Sequence, residues 1–254
     1  MLDLKNVTRW FGGLPALQDV SFRVEPGRVT ALIGPNGAGK STLINCISGV
    51  DNCQTGTILL EHHSIEKLPA HQIAAFGVAR TFQNLKLFSR LSVLDNVLTG
   101  LTVAAEKSFI RSMLRLPSLR HQERSLRLAA FEVLDTFGLG TKADWPAAAL
   151  SYGEKKRVEL ARAFAGDPRI VLLDEPVAGL NTEETAQIAR HIRQQRAAGH
   201  TMLLVEHDME LVMEVADKVV VLDSGRCIAR GTPAQVRSNP LVLEAYLGRM
   251  EAVA

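Results

Sequence analysis

The chain has 254 residues, of which 46% are hydrophobic and 22% charged. That is ordinary globular composition, and it excludes a disordered, collagen-like or disulfide-stapled chain. Lys and Arg number 29 against 27 Asp and Glu, a net charge of +2, so no general electrostatic footprint for nucleic acid is present.

Short β-rich stretches open the chain at residues 2–7, 20–24 and 29–33, with Pro26-Gly27 as the turn between the last two. Residues 34–41 lead into a helix over 42–48, and further strands are expected at 57–60 and 77–82. From Val93 to about Arg162 the pattern turns helical, with Leu126, Ala129, Ala130, Val133 and Leu134 recurring at helical spacing. Strand–helix alternation then resumes: a strand at 170–173, an amphipathic helix over 182–198 closed by Gly199, a strand at 202–205, a helix at 209–216 and a strand at 218–222. Apolar strands between helices predict a parallel sheet covered on both faces. The expectation is one α/β domain with a strand-rich N-terminal edge and a helical lobe inserted between about Gln83 and Arg162.

Cys46, Cys53 and Cys227 are too few and too scattered for a disulfide framework or a zinc site, and are expected as reduced, buried thiols. The first residues carry Asp3 and Lys5 and no apolar segment, so no signal peptide is expected. The longest apolar runs fall far short of the roughly 18 residues that cross a bilayer. The sequence reads as a soluble chain that another protein would hold at any membrane it serves.

Gly34-Pro35-Asn36-Gly37-Ala38-Gly39-Lys40-Ser41 satisfies G-x-x-x-x-G-K-[ST] between an apolar strand and a helix, the context this phosphate loop requires. Its glycines permit positive φ, so successive backbone N–H groups can curl around phosphate oxygens at a helix N-terminus. Lys40 would reach the β- and γ-phosphates, and the Ser41 hydroxyl could ligate Mg²⁺, with Thr42 following at the helix start. Residues 170–175 form an apolar strand ending in Asp174 and Glu175. Asp174 suits Mg²⁺ held through water, and Glu175 suits a general base for an attacking water. Gln83 and His207 follow two other strands. Ligands of open α/β sheets bind beyond the carboxyl ends of strands, so all these residues are expected at one edge.

These residues resemble the ATP-binding-cassette (ABC) family over essentially the whole chain. Leu150-Ser151-Tyr152-Gly153-Glu154 looks like the family's LSGGQ signature, with Tyr152 in place of the usual Gly and Glu154 in place of the usual Gln. The resemblance implies a P-loop core (residues 1–82 and 163–254) with an antiparallel β subdomain, and a helical subdomain inserted at 83–162. It implies that Ser151, Gly153 and Glu154 cover the γ-phosphate held by a partner ATPase, so that a dimer sandwiches two ATP. Gln83 matches the Q-loop glutamine, which senses Mg²⁺ and a membrane subunit, and His207 the switch histidine. Residues 178–181 match the D-loop, with Asn181 where Asp is usual. The adenine-stacking aromatic maps onto Phe11, with Trp10 as rival.

Within the family the chain is similar to ATPases of branched-chain (hydrophobic) amino-acid importers. Arg9-Trp10-Phe11-Gly12-Gly13-Leu14, Arg80-Thr81-Phe82-Gln83-Asn84 with Leu87-Phe88, the LSYGE signature and the tail from Gly231-Thr232-Pro233 to Gly248 carry that likeness. It implies transmembrane permease subunits, a second ATPase and, indirectly, a solute-binding protein as partners, at the cytoplasmic face of the inner membrane. Amide, urea or lipopolysaccharide transport is the alternative within the family. A soluble ABC ATPase acting on nucleic acid or ribosomes is the alternative outside transport.

Lys107, Arg111, Arg115, Arg120, Arg124 and Arg127 read as a solvated helix face rather than a contact for anionic lipid headgroups or a membrane subunit, since Glu106 and Glu123 intersperse them and no aromatic stripe follows. His62-His63 reads as a turn. Leu85, Leu87 and Phe88 stand evenly between burial in the lobe and an exposed groove for a transporter helix.

Overall fold

The computed structural model describes residues 1–83, 85–105 and 117–247, side chains of 102–105, 117–122 and 247 aside. β1 (Leu2–Phe11) and β2 (Leu14–Val24) pair antiparallel, from Leu2 opposite Val24 to Phe11 opposite Leu14. β4 (Thr55–Leu60) and β5 (His63–Ser64) complete a sheet of order β2-β1-β4-β5. Both N-terminal strands run longer than the sequence suggests. Asn6 and Asp19 take left-handed φ values of 51° and 52°, and the pairing register shifts beside them. Each irregularity resets the in–out alternation, so a period-2 pattern stops short. His63, expected in a turn, lies in β5 with its ring 5.3 Å from that of Phe76.

Pro26-Gly27 carries the chain from this sheet to β3 (Val29–Ile33) in a second one. Its order is β10-β9-β3-β8-β7-β6, built from β6 (Val78–Arg80), β7 (Ile170–Asp174), β8 (Met202–Val205), β9 (Lys218–Asp223) and β10 (Arg226–Gly231). All pairings are parallel except the β9–β10 hairpin. β3, β7 and β8 are buried at every residue, which is why they read as unbroken apolar runs.

Alternate side chains of these strands enter separate cores. Ile170, Leu172, Leu203 and Val205 face the antiparallel sheet, with Leu43, Ile44 and Ile47 of α1 (Lys40–Ile47) between the sheets. Val171, Leu173, Met202 and Leu204 face the helical lobe. The lobe holds α3 (Val93–Ala105), α4 (Pro117–Thr136) and α5 (Tyr152–Phe164), preceded in the chain by α2 (Ala70–Ala75). α6 (Thr182–Ala197) joins the same core through Ile188, Ala189 and Ile192. α7 (Met209–Val215), α8 (Pro233–Arg237) and α9 (Pro240–Leu247) pack against β3 and β9 through Val212, Val236 and Val242.

α3 and α5 approach closely at Gly100, where a Cβ would lie 2.2 Å from the Arg162 carbonyl oxygen. Of the three cysteines only Cys46 is buried, and burial pushes its thiol up to about 12. Cys53 and Cys227 are half-buried, against expectation. Lys107, Arg111 and Arg115 lie outside the described residues, as does the Arg120 side chain, while Arg127 pairs with Asp95 at 3.3 Å. Among the described residues no helix is long and apolar enough to cross a membrane.

Phe137 joins α4 to the rest of the lobe core. It is fully buried, and its ring lies 6.0 Å from Phe164 and 4.9 Å from His191. Phe137→Ala should lower unfolding free energy by about 3–5 kcal/mol through lost burial and a residual cavity, measured by urea denaturation.

Candidate functional site

β3, β8, β7 and β6 lie side by side and parallel, so the loops after them emerge at one edge. The loop after β3 is the 34–41 segment. Gly34 and Gly39 take φ of 149° and 101°, and a Cβ would meet the Leu222 carbonyl oxygen at 2.1 Å in the first and the Ala16 carbonyl oxygen at 2.5 Å in the second. Only glycine fits there. At Gly37 a Cβ would meet no atom within 4 Å, so the arch is open above its middle. Pro35 accepts from the Ala38 N–H across it. α1 starts at Lys40 without a side-chain cap, which leaves the first-turn N–H groups of Lys40, Ser41 and Thr42 without helical acceptors. An uncapped N-terminus over an open arch suits phosphate oxygens. Lys40 is buried, and its Nζ donates to the carbonyls of Gly34 and Pro35 at 2.7 and 3.0 Å. Burial lowers its pKa, and the nearby Glu175 charge opposes that.

The loop after β7 starts at Glu175, whose φ of 48° is unusual for a residue with a side chain. Its N–H donates to Val205 of β8, which anchors the strained position to the sheet. Gln83, after β6, donates from Nε2 to Glu175 Oε2 at 2.9 Å. Asp174 is buried beside Arg80, whose Nη2 lies 2.9 Å from Oδ2. The other Arg80 nitrogen, Nη1, donates to Asn45 Oδ1 and Ser48 Oγ at 2.8 Å each. One guanidinium thus ties β6, β7 and α1 together. This role for Arg80 has no sequence signal beyond its place before Gln83.

His207 follows β8 at the same edge, yet its side chain is exposed and its Nδ1 faces Glu206 Oε2 at 3.7 Å. Among the described residues no hydrogen bond joins it to Glu175 or Gln83. Glu206, which no motif marks in the sequence, is fully buried and accepts from the N–H groups of Val177, His207 and Asp208. Burial pushes its carboxyl pKa up. It holds the loops after β7 and β8 together by their backbones.

Ser151 caps α5. Its Oγ accepts from the Glu154 N–H at 3.2 Å, and Glu154 Oε2 accepts from the Ser151 N–H at 3.0 Å, a reciprocal capping box. Lys142 donates to the other Glu154 oxygen, and this hydrogen bond holds the carboxyl below its usual range. Glu154 therefore takes a different part from the expected phosphate contact, because an ionised carboxylate turned back on the helix start offers no donor. The Tyr152 and Gly153 N–H groups remain at the helix end. The Tyr152 hydroxyl donates to the Ala178 carbonyl at 3.3 Å, which fastens the helix start to the 178–181 loop. Asn181 caps α6 in a second capping box with Glu184.

Phe11 is half-exposed, with the Arg9 guanidinium 4.6 Å from its ring centroid. Trp10 is also exposed, its backbone held by Gln54. A groove of about 640 Å³ runs beside the 82–88 loop, lined by Ile73, Phe76, Phe82, Lys86, Phe88 and Arg162 among others. Of the expected apolar cluster only Phe88 faces it. Leu87 packs into the lobe core, Leu85 is half-buried outside the groove, and Phe82 takes the vacant role.

The Arg80–Asp174 pair is largely shielded from water, so removing one partner leaves a buried charge uncompensated. Arg80→Met should cost about 3–5 kcal/mol of stability, measured by chemical denaturation.

The family described as "ABC transporter" matches residues 17–178, and "Branched-chain amino acid ATP-binding cassette transporter" matches residues 226–252. The chain is 41% identical over 249 residues to the high-affinity branched-chain amino acid transport ATP-binding protein BraF of Pseudomonas aeruginosa, covering 98% of each chain. It is 40% identical to the corresponding protein LivG of Escherichia coli K12, again over 98% of each. Among solved structures, the ADP conformation of an ATP-binding cassette of an ABC transporter superposes with a TM-score of 0.84 at 33% identity, over 98% of both chains. A dimeric post-hydrolysis state of a second cassette, bound to ADP and Pi, gives 0.76 at 25% identity over 92% of this chain and 99% of that one. With the phosphate loop, the acidic strand end and the capped signature helix in one α/β fold, the chain belongs to the ABC transporter ATP-binding family and is an ATPase of that family.

Proposed function

We propose that this chain is the ATP-hydrolysing subunit of an importer for branched-chain, hydrophobic amino acids, working as one cassette with its helical lobe at 83–162. The convergence of the 34–41 loop, Gln83 and Glu175 on one sheet edge carries the hydrolytic part of this proposal. Likeness to branched-chain amino-acid transport ATPases over 98% of the chain supports the solute class.

The loop from Gly34 to Gly39, with the N–H groups of Lys40, Ser41 and Thr42, cradles the phosphates of ATP. Lys40 exchanges its loop carbonyls for β- and γ-phosphate oxygens, a charge-assisted contact. Ser41 and Gln83, with Asp174 through water, are the side chains that would hold Mg²⁺, and this oxygen-rich set suits a hard cation. When bound, Mg²⁺ neutralises phosphate charge. Glu175 takes the proton from the water that attacks the γ-phosphorus, and Gln83 orients the Glu175 carboxylate through the hydrogen bond between them. His207 turns from Glu206 toward the γ-phosphate in the closed state. An aromatic of the 10–11 pair, Phe11 in the first instance, stacks on adenine.

Ser151 and the N–H groups of Tyr152 and Gly153 meet the γ-phosphate held by a second ATPase subunit, and Glu154 keeps that helix start in order. The groove beside Phe82 and Phe88 receives a cytoplasmic helix of a permease subunit. The chain then works peripherally, at the cytoplasmic face of the inner membrane. A solute-binding protein acts through the permease, and nucleic acid has no part.

Uptake of labelled leucine tests the whole reading. Cells lacking this chain should lose high-affinity uptake, regain it with the wild-type chain, and fail to regain it with Glu175→Gln. Loss of a general base costs about 10²–10⁴-fold in rate. Uptake unaffected by deletion contradicts the solute class, and rescue by Glu175→Gln contradicts the base.

A further inference from the structure

Three charged side chains on α5 have no part in nucleotide chemistry, and two of them are almost fully buried. Lys156 is 1% exposed and Glu159 2% exposed, and Arg162 follows after the same interval of three. Side chains three apart are neighbours on a helix. All three reach the backbone of one loop, the segment that carries Gln83. Glu159 Oε1 accepts from the Phe82 N–H at 3.2 Å. Lys156 Nζ lies 3.5 Å from the Gln83 carbonyl oxygen. Arg162 Nη1 donates to the Lys86 carbonyl at 2.6 Å.

Burial pushes the Glu159 carboxyl pKa up, while the charges of Lys156 and Arg162 pull it back. Burying a carboxylate is costly unless it is paired and hydrogen-bonded, and a packed apolar triad is often as stable as a buried ionic one. Generic core stability therefore gives no reason for charges here. Their common target does. At its far end the loop is held by Leu87 in the lobe core and by Asn96, which bonds both backbone groups of Phe88; at Phe82 and Gln83, where the side chains are exposed, the α5 charges supply the hold.

We propose that Glu159, flanked by Lys156 and Arg162, is a positioning residue that clamps the 82–88 loop to the signature helix and so sets the Gln83 side chain against Glu175. The clamp makes the loop and α5 one body. At its N-terminus α5 is tied through Tyr152 to the Ala178 carbonyl, and Lys156 stands 6.0 Å from the Tyr152 ring centroid. The same helix thus ties both the loop that carries Gln83 and the loop that begins at Glu175, and Arg162 carries the clamp to the wall of the groove. A partner seated in that groove would press on Gln83 and on the helix start together.

The proposal rests on Gln83 and Glu175 acting at the reacting phosphate, and the experiment separates the two ideas. Glu159→Gln keeps the size, turns the charge-assisted hydrogen bond from the Phe82 N–H into a weaker neutral one, and removes the charge that Lys156 and Arg162 flank. On the full chain, hydrogen exchange of the 82–88 amides should quicken about tenfold, with β7 and α1 unchanged. The kcat for ATP should fall about ten- to a hundredfold from misplacement, with KM within twofold. Lys156→Met, which keeps length and removes the Gln83 carbonyl contact, should act in the same direction and replaces Glu159→Gln if that variant does not fold. Unchanged exchange in the loop, or exchange that rises evenly over the chain, overturns the clamp. Faster exchange confined to the loop with unchanged kcat removes Gln83 from the chemistry, and the positioning role with it.

Discussion

The parallel pairing of β3, β8, β7 and β6 is the constraint on which the rest depends. Parallel strands align their carboxyl ends, and the backbone there runs out of ladder partners. Something must satisfy those groups as the loops leave the sheet. Here buried side chains do it. Glu206 collects the N–H groups of Val177, His207 and Asp208, and Thr81 Oγ1 accepts from the Asp174 N–H at 3.1 Å. The loops at this edge are therefore fixed by hydrogen bonds beneath them.

That arrangement stores charge and strain at the edge. Lys40 sits on loop carbonyls, Asp174 on Arg80, and Glu175 on Gln83 in a left-handed conformation. In the proposed function phosphate and metal would take the places of the partners that Lys40 and Asp174 have here, while Gln83 keeps its hydrogen bond to Glu175. With these partners no charge is left alone in a poorly solvated place.

Much of this is legible in the residues, and the exceptions share a cause. The 34–41 loop, the acidic end of β7 and each strand after it are local patterns, every one within a dozen residues. They point to the edge at which Lys40, Gln83 and Glu175 meet. Arg80 to Asp174, Phe82 to Glu159 and Tyr152 to Ala178 are contacts across 94, 77 and 26 positions, and periodicity carries no information about them. Analogy with the usual Gln makes Glu154 a phosphate contact, although a Ser followed three residues later by Glu is itself a capping signature. Leu87 and Phe88 have the same apolar character, and only the path of the backbone through them decides which is buried.

The proposed function makes one central claim, that one chain supplies only half of each working site. Among the described residues Ser151 and Glu154 form a capping box and Tyr152 bonds Ala178, and in the proposed function this helix start would meet the phosphate held by a second subunit. Ser151→Arg puts a bulky cation at that start and leaves the loop around Lys40 untouched. ATP titration of the isolated variant, run beside its steady-state hydrolysis, is the most direct measurement. The expected result is affinity within a few-fold of wild type and hydrolysis lost, and a variant that loses ATP affinity as an isolated chain would contradict the claim.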